Sequence, residues 1–506
     1  MSSEADNLCA RLPGDADNRM RLSADNGDSL SLSELACEAA ALASTIRIAG
    51  GTRVALPARN GIAWIVADIA CQIAAVPLLP VPGFFSPTQS AHALHETGVD
   101  LLLCDHHARH DQQRLLAELD GHLQPGSECC GLRVLRLAAN SPDGNESLPL
   151  GTGKITYTSG STGTPKGVCL GNSQLLRQAA ALAQAVDVER PRHLSLLPLS
   201  VLLENVAGVY AALLAGGEVL LPDLARIGIG GSSSVDAPAL LAALDELQPQ
   251  TLILIPQLLQ LLVHACDRGW RAPSSLRFVA VGGARVAASQ ILRAREHGIP
   301  AYEGYGLSEC VSVVTLNTPH ADRPGSAGRA LPHLDVVTRD GELMISGNPF
   351  LGYVGKRASW YPRTIASGDL GYLDDEGFLH LQGRRSNVLV SSYGRNISPE
   401  WVESELVADA VIGQCIVFGE ARPFLVALVW ADAHVSDAMI TNRIEVANAM
   451  LPDYARVQRW LRLDAPLTHA DGLLTANGKP RRTAIAEIFD AQIARLYGTS
   501  TEPCLT

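Results

Sequence analysis

Apolar and polar positions along the chain alternate between two periods. Residues 33–48 place apolar side chains at helical spacing, and TRVALPA (52–58) then reads as a strand. Residues 61–74 again suit a helix, AVPLLPV (75–81) a strand, and TGVDLLLCD (97–105) a helix end running into a strand. This alternation is the pattern of parallel sheets built from βαβ units. GELMISG (341–347) and GFLHLQGR (377–384) predict shorter, β-rich structure that closes a large domain. A boundary is expected near Arg384–Asn387, because a compact new pattern follows it. That pattern is strand (NVLVSS, 387–392), helix (SPEWVESELVAD, 398–409), strand (QCIVFG, 414–419), strand (FLVALVW, 424–430) and further helix. Ser398 before Pro399 is a helix N-cap with proline at the first helical position. The expected fold class is α/β: a large N-terminal domain (29–385) of parallel-sheet subdomains with a small β-barrel-like part, and a small mobile α+β domain (386–506). Residues 1–28, rich in Asp, Asn, Ser and Arg, are expected to be a disordered lead-in, and 227–234 (IGIGGSSS) a flexible surface loop.

With 506 residues the chain exceeds what one hydrophobic core supports, so several subdomains are expected. A net charge of −12 without a long basic run argues against nucleic acid as a main partner. The 11 scattered cysteines and the absence of a secretory segment predict reduced thiols and a cytoplasmic protein. Cys129 and Cys130 are adjacent rather than at metal-ligand spacing, so no structural zinc is expected. Three apolar stretches, 61–83, 196–221 and 251–263, invite a membrane reading. Asp68, Gln72 and Pro80 interrupt the first, Glu204, Asn205 and Glu218 the second, and the third is too short to span a bilayer. All are better read as buried core, with no integral membrane segment.

The stretch YTSGSTGTPKG (157–167) carries the chemistry. Thr158, Ser159, Ser161 and Thr162 supply hydroxyl donors, and Gly160 and Gly163 let successive N–H groups turn toward an anion. Lys166 adds a mobile positive charge for phosphate oxygens. The common NTPase loop needs a hydroxyl after its lysine to ligate magnesium. Here Gly167 follows Lys166, so the magnesium ligand must come from elsewhere.

The stretch resembles the phosphate-binding signature of the AMP-forming adenylating enzymes: acyl-CoA synthetases, stand-alone adenylation domains and luciferases. Further segments resemble that family in its own order. VGGA (281–284) matches the adenine-pocket segment, which assigns Gly282, Gly283 and Ala284 to the base. YEGYGLSE (302–309) matches a motif in which Tyr305 would stack on the adenine, Ser308 would touch the α-phosphate and Glu309 would hold a Mg²⁺ ion, with Gly306 among the cofactor-binding residues. SGDLGYL (367–373) places Asp369 on the ribose hydroxyls, and a carboxylate suits a vicinal diol. GRRSNVLVSSYGRNISP (383–399) matches the hinge, with Arg384 before the pivot and Gly394 where a pantetheine arm would pass. NGK (477–479) matches the motif whose lysine, here Lys479, drives adenylation.

The resemblance implies ATP-dependent activation of a carboxylic acid. A carboxylate is a poor electrophile, and transfer of AMP makes a mixed anhydride with a good leaving group. Two anions must meet, so positive charge has to be concentrated at phosphorus. Lys479, Lys166 and Mg²⁺ on Glu309 are the candidates, with Ser308 beside them. The implied cofactors are ATP, Mg²⁺, and CoA or the phosphopantetheine of a carrier protein. Asn387, Val390 and Val201 depart from the family pattern at the pivot, near it, and at the residue that often gates the acyl pocket. PLSVL (198–202) lacks the acid that would pair with an amino-acid ammonium, so α-amino acids are disfavoured. Leu199, Val201, Leu202, Leu203 and Val311–Val314 are read either as an apolar acyl pocket or as plain core. LPLSxxxE ending at Glu204, HLQGR and GRNISP look most like fatty acyl-CoA synthetases. An acyl ligase loading an acyl carrier protein and a non-catalytic nucleotide-binding scaffold are the alternatives. Arg456, Arg459, Arg462, Arg481 and Arg482 are read as solvated surface arginines, or as contacts for CoA phosphates or a carrier.

Overall fold

The computed structural model describes residues 7–14, 19–105, 113, 115–117, 119, 122–124, 126–137, 148–158, 166–230, 234–393, 395–475 and 478–498. The expected alternation produces two large mixed sheets. The first runs in the order 352–353, 166–170, 154–158, 78–80, 54–56, 101–105, 132–137, 123–124. Its four central strands are parallel and its flanks antiparallel. The second runs 329–330, 312–316, 301–307, 278–281, 251–254, 192–194, 218–221, 20–24, 29–31, again with a parallel centre. The wholly buried Val54–Leu56 and Thr251–Leu254 carry apolar side chains on both faces, as strands covered by helices must.

The predicted helices appear at Leu32–Ile48 and Ile62–Ala74. Ser31 and Glu34 close a capping box at the start of the first. The β-rich segment expected to close the large domain is a four-stranded antiparallel sheet of Asp335–Arg339, Glu342–Ser346, Thr364–Leu373 and Leu379–Arg384. After it come helix Pro399–Leu406 and a three-stranded sheet of Gln414–Phe418, Leu425–Trp430 and Val457–Arg462. Ser398 caps the helix by accepting the Trp401 N–H. NVLVSS forms only the two-residue strand Leu389–Val390, paired with Asn396–Ile397.

The lead-in differs from expectation. Met20–Ala24 is a strand between Glu218–Leu221 and Ser29–Ser31, and Leu8 and Leu22 are wholly buried. Their two apolar side chains decide the outcome, since each fills a gap in the core that polar neighbours do not reveal. Of the loop expected at 227–234, Ile229–Gly230 pairs with Ser234–Val235 as a short ladder, and 231–233 lie outside the described residues. Among the described residues no helix is long and apolar enough to cross a membrane.

The interrupted stretches are buried, and their polar residues are used. Lys154, at the start of its strand, donates to Asp68 Oδ2 at 2.9 Å and to Asn205 Oδ1. Tyr210 also donates to Asp68, at 2.7 Å. Asn205 and Tyr210 lie on the π-helical segment Leu203–Tyr210, so this cluster ties the first sheet to the layer over the second.

Candidate active site

The parallel strands of both sheets end on one cleft of about 2750 Å³, where open α/β sheets place ligands. The hairpin of Lys154–Thr158 and Lys166–Leu170 pairs Thr158 with Lys166, the two residues that flank the rest of the expected phosphate loop in sequence. Ser159, Gly160, Ser161, Thr162 and Gly163 lie outside the described residues, but Thr158 and Lys166 both line the cleft.

Across from them, Gly282, Gly283 and Ala284 follow strand Phe278–Val281. A side chain at Gly282 would come no nearer than 3.6 Å to its neighbours, so the slot there is open rather than forced by packing. Gly306 has a different basis. Any Cβ would sit 1.6 Å from the Ser312 carbonyl oxygen, so the hairpin with Ser312–Leu316 itself demands glycine.

Tyr305, Asp369 and Arg384 form one bonded set. The Tyr305 hydroxyl donates to Asp369 Oδ2 at 2.7 Å, and Arg384 Nε donates to Oδ1 at 2.9 Å. Burial, with Asp369 adding to it, holds the Tyr305 phenol well above its ordinary range, so the hydroxyl stays a donor. Ser308 and Glu309 sit on a tight turn that runs into Val311 at φ 61° and Ser312 at φ 87°. A β-branched residue in the left-handed region is strained, and here the strain directly follows the two side chains expected at the phosphates.

Glu309 Oε1 accepts the Tyr353 hydroxyl at 2.8 Å, and Lys166 Nζ stands 5.8 Å over the Tyr353 ring. Tyr353 therefore joins the two charged groups, a role that FLGYVG does not reveal. Among the described residues no group of three or more His, Cys, Asp or Glu could hold a metal ion. One carboxylate plus phosphate oxygens is nevertheless the donor set magnesium prefers, and Glu309 fits it.

Lys479 arrives from the far end of the chain and lines the same cleft as Asp369 and Arg384. Its residue is open to the solvent of the cleft, yet the surrounding protein mass depresses its ammonium below the ordinary lysine value. Arg384 adds to that depression, and Asp369 and Glu400 oppose it. Gly394 lies outside the described residues.

Of the apolar candidates, Val201, Leu202, Leu203 and Val313 line the cleft. Leu199, Val311 and Val314 are instead buried core, 0–1% exposed, because their side chains turn away from it. The wall is pinned from behind. Glu204 accepts the Leu197 N–H at 3.1 Å and pairs with His193 at 2.9 Å, while Asn60 accepts the Leu199 N–H at 2.8 Å.

Glu303 and Arg285 were not singled out by sequence, although both stand inside matched segments or next to them. Burial pushes the Glu303 carboxyl up to about 8, against the pull of Arg285 and of a bond from the Val286 backbone. A folded value above the unfolded one contributes stability that is full below the ordinary carboxylate range and is lost as pH rises through about 8. Glu303→Gln is therefore expected to gain thermal stability relative to wild type as pH rises from about 5 to about 8. Melting curves across that range test this, and a pH-independent difference would exclude it.

A cleft at the strand ends, a hairpin that sets Thr158 and Lys166 on it, the bonded set Tyr305–Asp369–Arg384 and a lysine from the far end of the chain are the arrangement expected of a nucleotide-using α/β enzyme. Comparison with known proteins agrees. Residues 13–354 match the AMP-binding enzyme family, and 386–501 match the AMP-binding enzyme C-terminal domain. The chain belongs to the AMP-binding enzymes. It is 30% identical over 436 residues to a feruloyl-CoA synthase of Amycolatopsis sp, covering 78% of this chain and 82% of that one. It is 26% identical over 490 residues to the long-chain-fatty-acid–CoA ligase FadD15 of Mycobacterium bovis, covering 76% and 80%. The anthranilate CoA ligase AuaEII, solved with anthranoyl-AMP, shares the fold with a TM-score of 0.79 at 17% identity, covering 96% and 98%. The chain is thus an AMP-forming acid–thiol ligase of the acyl-CoA synthetase kind.

Proposed function

We propose that the protein joins an acid with an apolar acyl group, most simply a fatty acid, to CoA through an acyl-adenylate. The observation that carries this reading is Lys479, brought from the far end of the chain into the cleft of Asp369, Arg384 and Glu309. ATP would lie with its ribose on Asp369 and its base along Gly282–Ala284 and Tyr305. The phosphates would lie toward Thr158, Lys166 and Ser308. Mg²⁺, when bound, would neutralise phosphate charge beside Glu309. The acid carboxylate attacks the α-phosphorus, the bond to pyrophosphate breaks, and Lys479 balances the charge that builds there. A thiolate then attacks the acyl carbon, forming the thioester and expelling AMP. In this reading residues 29–385 bind ATP and acid, and 386–506 form a small domain that delivers Lys479 and later makes room for the thiol arm.

An apolar tail is supported by Val201, Leu202, Leu203 and Val313 on the cleft wall, and by the fatty-acid ligase among the relatives. CoA is favoured over a carrier protein because the relatives are CoA ligases, whereas several of the arginines considered as docking groups for either acceptor are already engaged. Arg459 donates to the Leu496 carbonyl, Arg462 to Val435 and Asp437, and Arg482 to Glu403. ATP–pyrophosphate exchange with a panel of fatty, aryl and amino acids tests the reading. Exchange strongest with apolar acids, and thioester formed faster on CoA than on a holo-carrier, is expected. Exchange confined to aryl or amino acids would refute the substrate class, and no exchange with any acid would refute the function.

A further inference from the structure

The segment that carries Lys479 is bonded to one helix of the small domain and packs on its three-stranded sheet. The loop that carries it continues into Arg482, whose guanidinium donates to both oxygens of Glu403 at 2.7 and 2.6 Å and to the Val417 carbonyl at 3.0 Å. Glu403 is buried in helix Pro399–Leu406 and also accepts the Val417 N–H at 2.7 Å. The Lys479 loop and this helix are therefore directly bonded.

The helix is in turn fastened to the large domain at three points. At its C-terminal end the last carbonyls have no partner within the helix. Arg443 donates to those of Glu405 and Leu406, and just beyond them Gln260, on helix Pro256–Asp267, donates its side-chain amide to the Val407 carbonyl at 2.8 Å and the Asp409 carbonyl at 2.6 Å. On the helix flank, the Arg285 guanidinium lies 5.8 Å from the Trp401 ring while donating to the Leu381 carbonyl at 2.7 Å. Arg285 directly follows the Gly282–Ala284 segment, so this contact starts at the cleft wall. At the N-terminal end Ser398 packs on Gly383, where an added Cβ would stand 2.5 Å from the Ser398 hydroxyl oxygen.

We propose that Gln260 and the Arg285–Trp401 contact are positioning elements for acyl-adenylate formation. They hold helix Pro399–Leu406 in register on the large domain, and through Glu403 and Arg482 they fix Lys479 over the nucleotide. Gln260 acts through the helix and Lys479, because both its amide hydrogens are committed to carbonyls across the interface. This inference rests on the reading of Lys479 given above.

Gln260→Leu keeps the side-chain size and removes both donors. In this variant the kcat of ATP–pyrophosphate exchange is expected to fall about tenfold, the worth of roughly one net hydrogen bond. The KM for ATP and the transfer of a supplied acyl-adenylate to thiol should stay at wild-type values. Trp401→Ala should behave likewise, and Trp401→Phe, which retains a ring for Arg285, should recover most of the rate. A merely structural role would lower melting temperature and depress both half-reactions together. Exchange at the wild-type rate, or equal loss in the two half-reactions, overturns the proposal. Deuterium uptake over residues 399–411 is read in parallel on the same full-length proteins. If wild type exchanges with no acid, the proposed function fails first. Uptake then judges the clamp alone: faster uptake in Gln260→Leu supports it, and unchanged uptake overturns it.

Discussion

Lys479→Ala lowers acyl-adenylate formation by a factor on the order of 10²–10³, while capture of a supplied acyl-adenylate by thiol proceeds near the wild-type rate. The expectation follows from where charge develops. In the first half-reaction an anionic carboxylate approaches an anionic phosphate, and a preorganised cation facing the cleft is worth most there. In the second the electrophile is already activated, and no new phosphorus–oxygen bond forms. The surroundings of Lys479 fit a group held for this task. Protein mass and Arg384 depress its ammonium, and Asp369 and Glu400 restore part of the charge preference. Exchange kinetics measure the first half-reaction, and mixing the variant with synthetic acyl-adenylate and CoA measures the second. Equal loss in both would mean that Lys479 supports the cleft as a whole rather than the adenylation step.

The residues legible in the sequence share one property: their chemistry is local. Thr158, Lys166, Tyr305, Glu309 and Asp369 lie in short runs whose glycines and hydroxyls announce a turn, and the structure gathers all of them on one cleft. Helices such as Ile62–Ala74 were legible for a similar reason, because their spacing repeats within a few turns. What escaped depends on residues far apart in the chain. Tyr353 matters because it reaches Glu309 and Lys166, and nothing in its own neighbourhood announces that. Leu8 and Leu22 sit among polar residues whose composition predicts a disordered lead-in, yet each fills a core position. Leu199, Val311 and Val314 could not be told from pocket residues, since an apolar side chain facing a cleft and one facing the core have the same composition. Gln260 reads as an ordinary polar position on an amphipathic helix until the carbonyls of Val407 and Asp409 are brought to it.

Lys154→Met is expected to be among the most destabilising single changes in the chain, costing about 3–5 kcal/mol. Lys154 and Asp68 have side chains only 2% and 1% exposed and lie 2.9 Å apart. Burial depresses the lysine ammonium, and Asp68 counters that by its charge and its hydrogen bond. The pair is not valuable because ion pairs are strong. Taking two charges out of water costs about as much as their attraction returns. The cost of the single variant comes from the carboxylate left behind, which Tyr210 and Asn205 alone would have to satisfy. Placement raises the stakes further, because the lysine begins strand Lys154–Thr158, whose last residue lines the cleft, and reaches the π-helical segment Leu203–Tyr210. Adding Asp68→Asn to Lys154→Met removes the orphaned charge and keeps a side-chain oxygen at position 68 to accept from Asn205 and Tyr210. The double variant should therefore regain most of the lost stability. Urea unfolding of wild type, the single variant and the double variant decides the matter. If the double variant unfolds as early as the single one, the loss comes from missing contacts of the lysine stem, and not from an unpaired charge.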